Sequence, residues 1–384
     1  MKIAATAAFG LEAVTARELG KLGYAGLQVT NGRVTFEGEP GDICKANLNL
    51  RTADRVLVVL DSFTALTFDD LFEGIKRFPW EDWLSLGDQF PVSGKCINSK
   101  LMSVSDCQAI SKKAIVERLK RKHNVSWFDE TGPIYHIEVS IVKDVVEVTI
   151  DTSGAGLHKR GYRRLIGQAP LKETMAAALI LISRWNRDRI LVDPFCGSGT
   201  IPIEAAMIGM NIAPGLKRGF ASEEWPQVPP SVWQKYRLEA EAGVMKDREL
   251  QISGYDIDKE AISLAMHSAK EAGVFEKILF KIQDIKELKS DLPYGFIICN
   301  PPYGERMGDI KQSQILYSEL GRAYSGLNGW SCYALSANVE FERHFGKISD
   351  KKRKLYNGRI ECNYYQYFGP PPRLSGWTAG QPHT

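Results

Sequence analysis

The chain has 384 residues, 44% of them hydrophobic and 25% charged. That balance excludes a fibrous repeat or a largely disordered chain, and at roughly 150 residues per domain there is room for two or three domains. Lys and Arg number 49 against 46 Asp and Glu, a formal net charge of +3, so any surface that attracts nucleic acid must be local.

In chain order, the apolar start at 3–8 predicts a strand, the stretch after Gly10 a helix, and 32–36 and 56–60 two further strands. Together they predict a small α+β domain over 1–65. A second domain, 66–165, contains a helix over 108–122 and two strands at 134–142 and 145–150, joined at Lys143-Asp144. Strict alternation puts Tyr135, Ile137, Val139 and Ile141 on one face of that hairpin and His136, Glu138 and Ser140 on the other.

The remainder, 166–384, has a different rhythm. A helix over 172–182 leads to the apolar run Ile190-Leu191-Val192, the turn Asp193-Pro194-Phe195-Cys196-Gly197-Ser198-Gly199-Thr200, and a helix through Glu204. A strand ending at Tyr255-Asp256, a helix at Lys259–Ala272, a strand at Ile278–Ile282 and the apolar Phe296–Cys299 follow. Strands alternating with helices of this length predict an α/β fold with a mostly parallel, doubly wound sheet. The proline-rich stretch 212–247 reads as an inserted excursion. Seven scattered cysteines without a C-x-x-C pair argue against a zinc ribbon or a disulfide framework. Gly10, Glu12 and Glu18 make a poor secretory leader, and no apolar run is long enough to span a bilayer, so a cytoplasmic protein is expected.

Two motifs carry chemistry. The turn after Val192 is glycine-rich, and Gly197 and Gly199 let backbone approach a ligand closely. It is not a dinucleotide fingerprint, because Pro202 stands at the third glycine position, and it lacks the Gly-Lys-Ser/Thr of a phosphate loop. The acid Asp193 suits a cationic ligand better than a pyrophosphate. Two later strand ends also present carboxylates: Asp256, placed to hold ribose hydroxyls, and Asp284, placed to accept from an adenine amino group; Asp258 reads as the cap of the next helix. The second motif is Asn300-Pro301-Pro302-Tyr303-Gly304, directly after an apolar strand. An exocyclic amine on a nucleobase is a poor nucleophile because its lone pair is delocalised into the ring. Accepting its N–H protons with the Asn300 amide oxygen and the Pro301 carbonyl would direct that lone pair at a methyl donor. Pro301 and Pro302 stiffen the loop, and Tyr303 offers a face on which an extruded base can stack.

With these motifs in order, the C-terminal region resembles the class I S-adenosylmethionine-dependent amino-methyltransferases, with a Rossmann-like domain. The resemblance implies that Asp193, Phe195, Cys196, Gly197, Ser198, Gly199, Thr200, Asp256, Ile257, Asp284, Ile285 and Asn300 bind S-adenosylmethionine, with no metal, and that Asn300, Pro301, Pro302 and Tyr303 hold the target amine. The N-terminal half resembles a ferredoxin-like domain followed by a THUMP RNA-binding module. The resemblance rests on Phe90-Pro91-Val92, Asn98-Ser99, the helix segment 111–116, Asp151-Thr152-Ser153-Gly154 and the basic stretch 157–163; the segment Ala169-Pro170-Leu171-Lys172-Glu173-Thr174 joins them in the resemblance of the chain as a whole. The whole chain is similar to bacterial THUMP methyltransferases that form N2-methylguanosine in 23S ribosomal RNA. Relatives acting on tRNA, and adenine-N6 methylases that share N-P-P-Y, stay open as alternatives.

The charge pattern agrees. Lys113, Glu117, Lys120 and Arg121 share one side of the 108–122 helix, with Lys112 beside them. His158, Lys159, Arg160, Tyr162, Arg163 and Arg164 form a second basic and aromatic cluster suited to phosphate contact and stacking. RNA is therefore the expected partner. A nicotinamide oxidoreductase is disfavoured by the missing third glycine, and a non-catalytic RNA binder by the retention of Asp193, Gly197, Gly199 and Asn300. The sequence leaves homodimerisation open.

Overall fold

The computed structural model describes residues 1–125, 127–163, 171–303 and 307–372, without the side chains of 307–309. Its elements run β1 (Lys2–Ala7), α1 (Glu12–Lys21), β2 (Gln28–Thr30), β3 (Arg33–Glu37), α2 (Pro40–Asn49), β4 (Ala53–Thr64), α3 (Phe68–Arg77), β5 (Val92–Ile97), α4 (Val104–His123), β6 (His136–Val142) and β7 (Val145–Asp151). There follow α5 (Glu173–Ser183), β8 (Leu191–Asp193), α6 (Thr200–Gly209), α7 (Pro230–Ala242), β9 (Ile252–Asp256), α8 (Lys259–Ala272), β10 (Ile278–Ile282) and β11 (Phe296–Cys299). The last are α9 (Met307–Ser325), β12 (Ser331–Ser336), α10 (Phe341–Phe345), β13 (Lys351–Asn357) and β14 (Ile360–Tyr367). Two units emerge: Met1–Arg160 with Ala213–Val244, and Gly161–Ile212 with Met245–Thr384.

The first unit is built on one seven-stranded sheet, order β2-β3-β1-β4-β7-β6-β5. Its central strand, β4, has 12 residues and pairs with β1 on one side and β7 on the other. That strand is much longer than its apolar segment, because its far half is half-exposed and is held by the ladder to β7 rather than by burial. The β6–β7 hairpin turns at Lys143 and Asp144, both in the left-handed region (φ 50° and 65°), which matches the right-handed twist of the flanking strands. Tyr135, Ile137, Val139 and Ile141 are buried against α3 and α4, as the alternation requires.

The proline-rich excursion completes this unit. Trp225 is buried in the core of Ile137, Val139 and Ile150, stacked on Tyr135 with ring centroids 4.4 Å apart. Phe220, Val228 and Trp233 belong to the neighbouring core of Ile43, Leu48 and Val56. The Arg218 guanidinium donates to the carbonyls of Ser153 (3.1 Å), Gly156 (2.7 Å) and Ala155, tying the excursion to the loop after β7.

The second unit holds the other seven-stranded sheet, order β10-β9-β8-β11-β12-β14-β13. Its first five strands are parallel, and β14 runs antiparallel to both β12 and β13. The doubly wound α/β expectation holds here, and the α+β expectation holds for the first unit. The antiparallel strand was not foreseen. Ile297, Cys299, Cys332, Ala334, Tyr365 and Tyr367 pack against Tyr317, Leu320 and Tyr324 of α9, while the opposite face meets α5, α6 and α8. Strand order reverses at the β8–β11 pair: β9 and β10 extend the sheet one way, β12 the other. Open α/β sheets bind ligands in the crevice outside the carboxyl ends at such a point. No helix among the described residues is long and apolar enough to cross a membrane.

Truncating Trp225 leaves a large void in the first unit. Trp225→Ala is expected to cost about 3–5 kcal/mol of that unit's stability, read as a lowered midpoint in chemical denaturation followed by near-UV circular dichroism.

Candidate active site

Asp193 ends β8, and the turn after it is tied to the end of the neighbouring strand β9. The Cys196 N–H donates to the Tyr255 carbonyl (2.9 Å) and the Gly197 N–H to the Asp256 carboxylate (2.9 Å). Asp193 is 1% exposed, and its carboxylate accepts from the Phe195 N–H (3.1 Å). Burial pushes its carboxyl well above the usual range, and nearby Asp256 pushes it further. Both turn glycines have positive φ, 50° at Gly197 and 81° at Gly199, but they serve different neighbours. A Cβ on Gly197 would meet nothing within 4 Å, whereas one on Gly199 would lie 2.9 Å from the Ala265 Cβ of α8. Gly197 therefore keeps ligand space open, and Gly199 lets two helices approach.

A cavity of about 640 Å³ opens over this turn. Of the residues singled out in the sequence, Asp193, Phe195, Cys196, Gly197, Ser198, Thr200 and Asn300 line it. Sequence reasoning missed Leu171, Ile201, Glu260, Ala261 and Leu264, and gave Asp258 only a capping role. Asp258 does cap α8, accepting from the Glu260 N–H (2.8 Å), and the first turn of α8 that it starts forms part of the wall. That capping signal could have located the wall.

Asp256 and Ile257 lie beside the cavity rather than in its lining. The Asp256 carboxylate is engaged by the N–H groups of Gly197 and Asp258 (3.0 Å), and Ile257 is 65% exposed. The Asp284 carboxylate accepts from the Lys286 N–H (3.0 Å). The Ile285 side chain is buried in the α9 core with Val192 and Leu288 and is not part of the cavity lining.

Asn300 follows β11, which is hydrogen-bonded to β8, so it stands on the strand next to Asp193. The Tyr303 hydroxyl donates to the Asn300 amide oxygen. Neither Pro301 nor Pro302 has a backbone N–H, so the loop needs outside anchors. Tyr317, buried in α9, donates its hydroxyl to the Pro302 carbonyl (2.8 Å) and lies 3.3 Å from the Ser336 hydroxyl. Burial pushes the thiols of Cys196 and Cys299 well up, so both remain S–H and neither offers the thiolate a covalent mechanism needs. Gly304 lies outside the described residues.

The basic residues divide. Lys113, Lys120, Arg121 and Lys159 are exposed, Lys112 pairs with Glu130 (3.2 Å), and His158 is half-buried. Arg160 and Tyr162 are each 2% exposed. Arg160 donates to the carbonyls of Leu157 (2.7 Å) and Arg51, and the Tyr162 hydroxyl to the Glu204 carboxylate (3.1 Å). Both side chains are thus held inside the protein and neither is presented at its surface, unlike the exposed cluster the sequence led one to expect. Arg163 is held by the Leu171 carbonyl (3.3 Å), the Thr200 hydroxyl and Glu173 (3.5 Å), which makes it a support of α5 and α6. Arg164 and the Ala169-Pro170 pair lie outside the described residues.

A family model described as an RMKL-like methyltransferase domain matches residues 160–366. The chain belongs to that family. An RlmL ferredoxin-like domain model matches residues 2–57 of this RMKL-like methyltransferase, and a THUMP domain model residues 65–151. It is 50% identical over 366 residues to "Putative RNA methyltransferase YpsC" of Bacillus subtilis (strain 168), covering 95% of each chain. It is 36% identical over 377 residues to "Ribosomal RNA large subunit methyltransferase K/L" of Psychromonas ingrahamii, covering 95% of this chain but only 50% of that protein. Among solved structures, SMU.472, described as "a putative methyltransferase complexed with SAH", superposes with a TM-score of 0.92 at 45% identity, covering 97% of this chain and 99% of that one.

As a methyltransferase of this family the protein uses S-adenosylmethionine, and its cavity fits that group. The buried Asp193 carboxyl suits a sulfonium, and the open space at Gly197 admits a ligand against backbone. The Asp193 shift has a sign that can be tested. The folded chain keeps this proton above the ordinary value of 3.8, so the ligand-free fold loses stability as pH rises through the raised value. A cationic ligand favours the ionised form, so affinity for S-adenosylmethionine is expected to rise with pH over that same window. Asp193→Asn should weaken binding on the order of tenfold (about 1.4 kcal/mol) and flatten its pH dependence, measured by titration calorimetry.

Proposed function

We propose that this chain is a cytoplasmic S-adenosylmethionine-dependent RNA methyltransferase that modifies the exocyclic N2 of a guanosine, with 23S ribosomal RNA as the substrate. The observation that carries the reading is that Asn300 and Asp193, at the ends of hydrogen-bonded strands, border one cavity. The bound cofactor supplies a methyl group on a sulfonium, an electrophile that needs no further activation. The protein's contribution is then positioning. Asn300 accepts a hydrogen bond from the target amine N–H and aims the amine's lone pair, Pro301 offers a second acceptor, Tyr303 stacks the extruded base, and the amine's surplus proton leaves to water once the methyl has been transferred. Tyr317 holds the loop that carries all three. Neutral Cys196 and Cys299 favour direct transfer to an amine over a covalent route.

The THUMP domain at 65–151 and the ribosomal RNA methyltransferase relative support RNA as the substrate. Within the first unit, Lys113, Lys120, Arg121 and Lys159 are the exposed cations assigned to RNA contact, with Lys112 and His158 beside them.

Asn300→Ala is expected to lower turnover at least a hundredfold on ribosomal RNA from a strain lacking the gene, with cofactor affinity within threefold of wild type. Mass spectrometry of the product nucleoside checks the base: N2-methylguanosine agrees with the proposal, N6-methyladenosine replaces it with the adenine reading, and wild-type turnover in the variant removes the role given to Asn300.

A further inference from the structure

We propose that the turn of the β13–β14 hairpin, through Arg359, binds a backbone phosphate of the substrate RNA beside the nucleotide being methylated. The proposal rests on the RNA-methyltransferase reading above and adds a substrate contact on the catalytic unit itself. It begins with the hairpin's geometry. The ladder closes at Asn357 opposite Ile360, leaving Gly358-Arg359 as a two-residue turn. Only Gly358 has positive φ (63°), the pattern of a type II′ turn with glycine first. Such a turn is tight and gives the arginine a fixed point of departure.

That point lies next to the target loop. The Tyr303 hydroxyl, which donates to Asn300, also lies against the Asn357 side chain and the Cys362 thiol, one on each side of the turn. The thiol in turn donates to the Ile360 carbonyl (3.7 Å). The residue that would stack the extruded base is therefore attached to both strands that carry Arg359. A base resting on Tyr303 brings its own phosphates to the same neighbourhood.

Charge and position together point to this arginine, since exposed Lys351 lies at the far end of β13 from the turn. Along β13, Lys352 is paired with Glu342, and Lys354 with Glu361 (2.7 Å). Arg359 is exposed and has no carboxylate partner among the described residues. Lysines on an edge strand commonly guard against strand addition, which accounts for the run Lys351–Lys354, but Arg359 is in the turn, off the ladder. A guanidinium forks two N–H groups toward one phosphate, so it is the cation best shaped for this contact.

The test uses the full chain, ribosomal RNA from a strain lacking the gene, and S-adenosylmethionine, with Lys351→Ala at the far end of β13 as a control. Arg359→Ala is expected to raise KM for RNA about tenfold, with kcat and cofactor affinity as in wild type. The slope of log affinity against log salt should fall by about one. Arg359→Lys should recover part of the loss, Arg359→Glu should deepen it, and Lys351→Ala should leave KM within twofold. Wild-type KM and salt slope in Arg359→Ala overturn the proposal, as does an equal effect from Lys351→Ala or a loss confined to kcat. If Asn300→Ala and wild type both fail to methylate the RNA, the function reading has failed instead, whatever Arg359 does.

Discussion

Everything at the candidate site depends on the pairing of β8 with β11. Phe296 faces Leu191 and Ile297 faces Val192 in that ladder, and the sheet's strand order reverses there. Backbone hydrogen bonds between two short, fully buried strands thus fix the spacing between an acid at one strand end and an amide just past the other. No side chain at the site sets that spacing. The glycine turn, the proline loop and the Tyr317 anchor refine the positions of groups whose neighbourhood the sheet has already determined. This suits a transfer reaction whose electrophile is activated before it arrives, because alignment is then the main thing the protein must supply.

Much of this was legible in the residues because the signals are local. A fully apolar run followed by DPFCGSGT, or by NPPY, announces a buried strand and a specialised turn, and β8, α6, α8, β10 and β11 lie where those signals place them. The hairpin at Lys143-Asp144 was equally plain from its alternation. The unread parts failed for identifiable physical reasons. β13 carries Lys351-Lys352-Arg353-Lys354 and is an edge strand, stabilised by its ladder to β14 rather than by an apolar face. The cavity wall from Glu260 to Leu264 is one side of an ordinary amphipathic helix, and only the third dimension turns it toward the glycine turn. Arg160 and Tyr162 read as surface groups because composition cannot tell an exposed side chain from one whose donors are engaged by carbonyls, as for Arg160, or by a carboxylate, as for Tyr162, inside the protein.

The two glycines of the turn show how one pattern can hold two unrelated constraints. Both need positive φ, and a motif treats them alike. Gly197 answers to the ligand, however, and Gly199 answers to α8. A substitution at either would reach the site by a different route, one by filling it and the other by displacing the helix that forms its wall.

The excursion through Ala213–Val244 has a consequence for how the protein is made. Synthesis delivers β1 to β7 first, but Trp225, Val228 and Trp233, which fill gaps in the two cores of that unit, emerge only after β8 and α6 have been produced. The first unit therefore cannot finish its interior on the ribosome until part of the second is already outside the exit tunnel. Domains usually fold in order from the N-terminus. Here the chain crosses from one unit to the other and back before either is finished, so the half that comes first in sequence cannot be completed until part of the other has been made.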